Sequence, residues 1–441
     1  MGKMDNLEFV DLREELEKNH IAWDSPACCS SKESSYSLLR AQMQGTFQFS
    51  REGVWIKDFE HDKKCLSLLH LAKQKSCDLV LFPEYCISDQ VLWDIVSDEA
   101  LWPENRKLWV LPCQGMTKDQ FQAFIENLSK NNRVFLLDTA CTSRRVTFNH
   151  FVTVLFYCFL GYQGDASILC LVPQLKTQPM GDQDCLCEQA GMATGSVVFT
   201  LEQRLLTLLC ADSMNNELTW QRLQEEGLLM SGLTILHPQL NGHPKDQVFS
   251  RLRWELFERG TPGVYITCNW AAGTTLSSPE CQEAAKTIDL SWSCLYRKHA
   301  DDIFEKWERN YSLRRNNEAH GLFGTIMKPK RTEVWFSLSH EEALELRIPN
   351  LDFNGYGKLS VPDIHAQAHL CYDQGTRNWV EQAAKSETLQ QRIDRMSQEH
   401  LYLHQNSRAI DNPYRFPLDT TERWEADRFF ALALEASPKS R

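Results

Sequence analysis

The sequence predicts a layered α/β fold, and three observations carry that expectation. From Tyr36 onward, apolar runs of strand length alternate with amphipathic stretches of helical length. The runs LVLFP, HFVTVLFYCFLG, SILCLVPQL, LTILHP and GVYITCNWA each suit a buried strand. A hydrophobic share of 42% and a charged share of 24% are ordinary globular values, enough for an extensive core.

Taken in order, residues 1–35 read as an N-terminal extension: a helix from Leu7 to Lys18, then the linker PACCSSKESS. The first strand is expected in SLLRAQMQGTF. A helix around Lys63 to Lys75 comes next, with Leu66, Leu69, His70 and Ala72 near one face, and it feeds the strand LVLFP. A second helix, from about Lys118 to Asn131, leads into RVFLLDTA. HFVTVLFYCFLG and SILCLVPQL then form consecutive strands, hence a hairpin.

VVFTLEQRLLTLLCAD reads as a strand pair with a turn near Glu202, and TWQRLQEEG as a helix ended by Gly227. LTILHP, the helix FSRLRWELFERG and the strand GVYITCNWA continue the alternation to about residue 350. Beyond Asn350 the composition turns to charged helix, with Trp379, Ala383, Ile393 and Met396 spaced for one buried stripe. Asp419, three residues before Glu422, marks a last helix start.

The formal charge of −12 disfavours a protein that tracks nucleic-acid phosphates, which needs clustered Lys and Arg. The longest apolar stretch, Phe151 to Leu160, is about half of what spans a bilayer, so no membrane association is expected. The N-terminus lacks a secretory pattern, and Asn6 stands where myristoylation needs Ser or Thr. The 16 cysteines are therefore read as mostly reduced, in a cytoplasmic protein.

The chemistry concentrates in LVLFPEY, VPQLKTQP and LTLLCADSMNNEL, each of which places one reactive side chain at the end of an apolar strand. Strand ends are where sheets present groups to a crevice. A thiol attacking an amide needs a base, and a carboxylate in a dry pocket becomes a better proton acceptor. Glu84 suits that role beside Cys210. Charge developing on the carbonyl oxygen needs a fixed cation and an N–H donor, for which Lys176 and the Ala211 amide are candidates.

These stretches resemble the nitrilase, or carbon–nitrogen hydrolase, superfamily. FPE supplies Glu84, QLK supplies Lys176, and CAD supplies Cys210 and Asp212, with Glu217 seven residues after the cysteine. Asn149 in FNH, Asn269 and Gly273 in CNWAAG, and the stretch after Gly321 extend the similarity to roughly residues 36–352.

The resemblance implies a four-layer αββα sandwich over 36–352, commonly paired into homodimers, with a mainly helical extension over 353–441. It implies a Glu84, Lys176 and Cys210 triad that hydrolyses a small-molecule amide or nitrile through a thioester, with no metal or organic cofactor. A further family carboxylate between the lysine and the cysteine is assigned to Glu188, with Asp182 and Asp184 as alternatives; Asp212 and Asn269 are supporting residues.

The chain departs from the family pattern at Leu175, Thr177, Gln178, Pro179, Ala211 and Met214. The longer interval from Glu84 to Lys176 reads as an insertion near Asp89 to Met116. The alternatives are a regulatory interaction protein on the same fold, or an amine acyltransferase with the same triad.

DFNGYGKLSVPD (Asp352 to Asp363) imitates a calcium loop, but Tyr356 and Asp363 fill positions that need other ligands, so a surface turn is expected. Cys185 and Cys187, with Cys28 and Cys29, lack the paired spacing of a zinc site.

Overall fold

The computed structural model describes residues 7–50, 52–128, 130–137, 151–178, 192–193, 196–229, 232–242, 247–259, 263–278, 286–288, 293–298, 316–328, 332–337, 340–350, 364–384 and 423–424. They form a mixed α/β structure built on two nine-stranded sheets, with two smaller sheets beside them.

In spatial order the first sheet runs Glu8–Asp11, Val197–Leu201, Leu205–Thr207, Leu233–Pro238, Gly263–Cys268, Cys294–Lys298, Thr332–Ser337, Leu322–Lys328 and Arg423–Trp424. The second runs Asn378–Glu381, His365–Asp373, Glu342–Pro349, Ser35–Gln42, Leu79–Leu81, Leu108–Pro112, Val154–Gln163, Ala166–Leu175 and Val134–Leu136.

Alternation along these strands decides what each face packs against. Leu79 and Leu81 join Val110 and Tyr157 of the second sheet, and Phe199, Leu236 and Ile266 of the first, in one apolar cluster shared by both sheets. Val80, between the two leucines, points the other way. It packs with Leu68 and Leu69 of helix α2 (His61–Gln74), Ile95 of α3 (Asp89–Ser97) and Phe124 of α4 (Lys118–Leu128), all numbered after α1 (Leu12–Lys18). Leu206 and Ile235 of the first sheet likewise meet Leu223 of α5 (Trp220–Glu225) and Leu252 of α6 (Gln247–Glu258). A fully buried leucine contributes roughly 1.5–3 kcal/mol, so these faces fix the pairing register.

Several expectations hold. Val154–Gln163 and Ala166–Leu175 form the antiparallel hairpin, closed where Gly164 has φ +61°. Val197–Leu201 and Leu205–Thr207 form the strand pair, with positive φ at Glu202 and Gln203.

Others need correction. SLLRAQMQGTF is two strands, because the chain leaves the second sheet after Gln42 and Thr46–Ser50 pairs instead with Gly53–Ile56 in a small sheet. The buried face of α2 carries Cys65, Leu68, Leu69 and Ala72, while Leu66 is half-buried and His70 exposed. The stretch that reads as an insertion, near Asp89 to Met116, is not a loop throughout. It contains Leu108–Pro112, which pairs parallel with Leu79–Leu81 and antiparallel with Val154–Gln163 inside the second sheet.

In both extensions the described residues include strands as well as the helix at the N-terminal end. Residues Glu8–Asp11 form a strand parallel to Val197–Leu201, and only then does α1 begin, capped by Asp11, which accepts from the Arg13 N–H at 2.9 Å. Beyond residue 353, His365–Asp373 and Asn378–Glu381 are antiparallel strands that extend the second sheet past Glu342–Pro349. Trp379 belongs to a strand and not a helix: its ring is buried against Tyr372, and its indole N–H donates to the Lys64 carbonyl at 3.0 Å. Asn378 and Val380 on either side face solvent, the alternation of a half-buried strand. Ile393, Met396, the helix start at Asp419, the calcium-like loop, Cys185 and Cys187 lie outside the described residues.

Candidate active site

Strand direction brings the reactive residues together. Leu79–Leu81 is parallel to Leu108–Pro112, and two antiparallel pairings further on Ala166–Leu175 points the same way. Glu84 and Lys176 thus come just after strands that end on one side of the second sheet. In the first sheet, Leu205–Thr207, Leu233–Pro238 and Gly263–Cys268 are mutually parallel. Cys210, Leu240 and Asn269 come just after their ends.

Lys176 Nζ lies 2.7 Å from Glu84 Oε1, and both side chains are wholly buried. The other carboxylate oxygen, Oε2, accepts from the Leu240 N–H at 3.2 Å. The Glu84 carbonyl accepts from the Trp270 indole N–H at 2.7 Å. Cys210 is also fully buried and opens a 3-10 turn, Cys210–Met214, with φ +42°. That left-handed backbone is uncommon for a residue with a Cβ and costs of order 1–3 kcal/mol, so the surroundings must hold it.

The holding contacts are on either side. The Cys210 carbonyl accepts from His237 Nε2 at 2.7 Å, and the Tyr265 hydroxyl lies 2.8 Å from His237 Nδ1. Burial pulls His237 down to about 3, so the ring is neutral, and its Nε2–H donates to the Cys210 carbonyl. Asp212 joins this turn to the one after Lys176. Its Oδ1 accepts from the Thr177 N–H at 2.7 Å, the Thr177 hydroxyl at 3.0 Å and the Gln178 N–H at 2.9 Å, and its Oδ2 accepts from the Leu209 N–H at 2.9 Å. Burial raises the Asp212 carboxyl to about 6, opposed by Lys176 and by the Leu209, Thr177 and Gln178 amides.

Burial pushes the Cys210 thiol well up, and the Glu84 charge adds to it. Lys176 and the Leu240 N–H work in the opposite direction. Burial alone would pull the Lys176 ammonium down; the charge of Glu84, then Tyr85 and Cys210, more than offsets it and holds Lys176 well above its usual range. An ammonium is therefore kept charged between a carboxylate and a thiol that is neutral at rest.

Asn269 positions the third wall. Its Oδ1 accepts from the Asn241 and Trp270 N–H groups at 3.0 Å each, and its Nδ2 donates to the Asn241 carbonyl at 2.8 Å. This fixes the loop that aims Leu240 at Glu84. Ala211 is buried beside Cys210, and among the described residues its N–H meets no backbone acceptor.

Of the expected residues, Glu84, Lys176, Cys210, Ala211, Asp212 and Asn269 are brought together. Glu217 instead accepts from the Leu7 N–H and ties down the first strand. Glu188, its alternatives Asp182 and Asp184, and Asn149 lie outside the described residues. Leu240, His237 and Trp270 are additions that no sequence motif marks. Leu240 and Trp270 stand just past the apolar runs LTILHP and GVYITC, the same strand-end placement that Glu84, Lys176 and Cys210 have, and that placement is the signal by which they could be found.

Two groups of side chains among the described residues have spacing suited to a metal: His61, Cys65 and Cys86, and His340, His369 and Cys371. No helix of the described residues is long and apolar enough to cross a membrane. Neither a protein-family model nor a curated protein matches the chain.

Proposed function

We propose that the chain is a thiol-dependent hydrolase of a non-peptide carbon–nitrogen bond, acting on a small-molecule amide or nitrile. The observation that carries this reading is the wholly buried Lys176–Glu84 pair at 2.7 Å, set beside a Cys210 thiol whose ionisation both groups influence.

Glu84 takes the Cys210 proton as sulfur attacks the carbonyl carbon. The carbonyl π electrons move to oxygen, and Lys176 with the Ala211 N–H receives that oxyanion; one well-placed donor is worth roughly 3–4 kcal/mol. Protonated Glu84 passes its proton to the leaving nitrogen, the C–N bond breaks, and a thioester remains. Water then attacks the thioester while Glu84 takes its proton, and the acid leaves as the proton returns to sulfur.

At rest the buried ammonium faces the Glu84 carboxylate. Once Glu84 holds the Cys210 proton, the negative charge sits on the substrate oxygen, and Lys176 speeds the reaction to the extent that it binds that oxyanion more strongly than it binds the carboxylate.

The resemblance to the nitrilase superfamily and its αββα sandwich is proposed with the activity. Supporting it are the apolar cluster shared by the two large sheets and the helices packed on their other faces. Homodimers are proposed on that resemblance, and a cytoplasmic location on the many cysteines read as reduced thiols.

The test is hydrolysis of a broad panel of small amides, carbamoyl compounds and nitriles, followed as ammonia or amine release, with Cys210→Ala as control. Release by the wild-type chain alone supports the proposal. Equal release by both proteins, or none from any compound, overturns it.

A further inference from the structure

We propose a zinc site, separate from the triad, formed by His340, Glu342, His369 and Cys371. His369 and Cys371 are two apart on the strand His365–Asp373 and so face the same side. That strand pairs with Glu342–Pro349, and His340 stands just before it.

Glu342 bridges the two imidazoles, and Cys371 joins them through His369. Glu342 Oε2 lies 2.9 Å from His340 Nε2 and 2.8 Å from His369 Nε2. Cys371 Sγ lies 3.7 Å from His369 Nε2, and the donor atoms of His340, His369 and Cys371 are all within 4.8 Å of one another. With Zn–N of about 2.0–2.1 Å and Zn–S of about 2.3 Å, a tetrahedral site has N···S edges near 3.5 Å and N···O edges near 3.3 Å. The edge from the thiol to His369 is already close to that, the two carboxylate–imidazole edges need a few tenths of an ångström of opening, and Glu342, which stands outside the three donors grouped within 4.8 Å, must turn toward Cys371 to complete the tetrahedron.

A second observation points to a missing cation. Glu342 is 1% exposed, yet its Oε1 has no hydrogen-bond partner among the described residues. An ion seated between the imidazoles and the carboxylate would engage it. One thiolate, one carboxylate and two neutral imidazoles are a donor set that suits zinc over magnesium or calcium.

His61, Cys65 and Cys86 make the weaker group. His61 Nε2 sits 2.6 Å from the Cys86 carbonyl oxygen, and among the described residues no fourth side chain joins them. His340, by contrast, is 22% exposed, which gives an ion a way in.

Zinc here would clip the turn at His340 to the added strand. The neighbouring Glu341 pairs with Lys64 of α2 at 3.0 Å, so the clip would also steady that helix. Metal bound only by the folded state adds to stability.

The experiment uses the full chain, expressed with zinc in the medium, gel-filtered into metal-free buffer and analysed by elemental mass spectrometry. About one zinc per chain is expected, with a fall of at least tenfold in Cys371→Ser and in His340→Gln, whose side chain sits on a half-exposed turn outside any strand. Replacement by cobalt(II) should give a thiolate-to-cobalt charge-transfer band that is lost in Cys371→Ser and kept in Cys65→Ser. A chelator should lower the melting temperature of the wild-type chain and leave His340→Gln unmoved. Zinc content near zero in the wild type, or zinc that survives both substitutions, overturns the proposal. So does zinc that is lost in Cys65→Ser only.

Discussion

Asp212 accepts hydrogen bonds from Leu209 on the Cys210 turn and from Thr177 on the Lys176 turn, so one carboxylate fixes the nucleophile relative to the cation. Asp212→Asn keeps one oxygen but presents an NH₂ group to the Leu209 N–H. A buried donor left unmatched costs about 1–3 kcal/mol. Urea unfolding should show that loss, and kcat for the best panel substrate should fall by up to about 100-fold, since small misplacements of reacting groups are expensive.

The same residue sets a pH dependence. Its carboxyl rises from 3.8 to about 6 on folding, so between those values the native chain holds a proton that the unfolded chain has lost. Stability from this group is therefore fully present below 3.8 and declines as pH rises through about 6. Relative to Asp212→Asn, wild-type stability should decrease across that window. Activity should move the other way, because a protonated Asp212 cannot accept from all four donors: kcat should drop below about pH 6, and that limb should be missing in Asp212→Asn. Parallel urea melts and pH–rate profiles check both signs.

Breaking the Lys176–Glu84 pair leaves an uncompensated charge in a wholly buried place. Lys176→Met alone should cost about 3–5 kcal/mol by chemical denaturation. Lys176→Met combined with Glu84→Gln should cost less than the sum of the two single changes, since the double variant buries no lone charge. Strict additivity would mean that the two side chains do not interact.

The strands Leu79–Leu81, Leu233–Pro238 and Gly263–Cys268 are legible because their apolar runs are bounded by turns and their neighbours repeat the pattern. The triad was legible because each member ends such a run. Asn378–Glu381 was not: four residues cannot display a period, and Trp379 fits a helical stripe as well as a strand until a partner is known. Leu108–Pro112 falls inside the stretch that reads as an insertion, because sequence distance from Glu84 says nothing of which strand lies beside Leu79–Leu81. Leu240 acts through its N–H, which no side-chain motif records. The zinc proposal rests on a His-x-Glu pair and a His-x-Cys pair, 340 with 342 and 369 with 371, whose alignment depends on strand pairing.

Because His365–Asp373 and Asn378–Glu381 extend the second sheet, residues 365–381 are no dispensable appendage. Truncation after Pro349 should expose the edge of Glu342–Pro349 and give an insoluble or much less stable chain. Trp379→Ala, in the full chain, should cost about 3–5 kcal/mol by urea unfolding. Unchanged stability in either protein would show that these strands do not support the core.

The most direct measurement is intact mass of the chain quenched in acid during turnover of its best amide substrate. Catalysis through a Cys210 thioester predicts a species heavier by the acyl group, mapped by peptide sequencing to Cys210, absent in Cys210→Ala and accumulating in Glu84→Gln once an activated ester supplies the acyl group. Turnover with no acylated chain at any quench time, or an acyl group mapped to a residue other than Cys210, would contradict it.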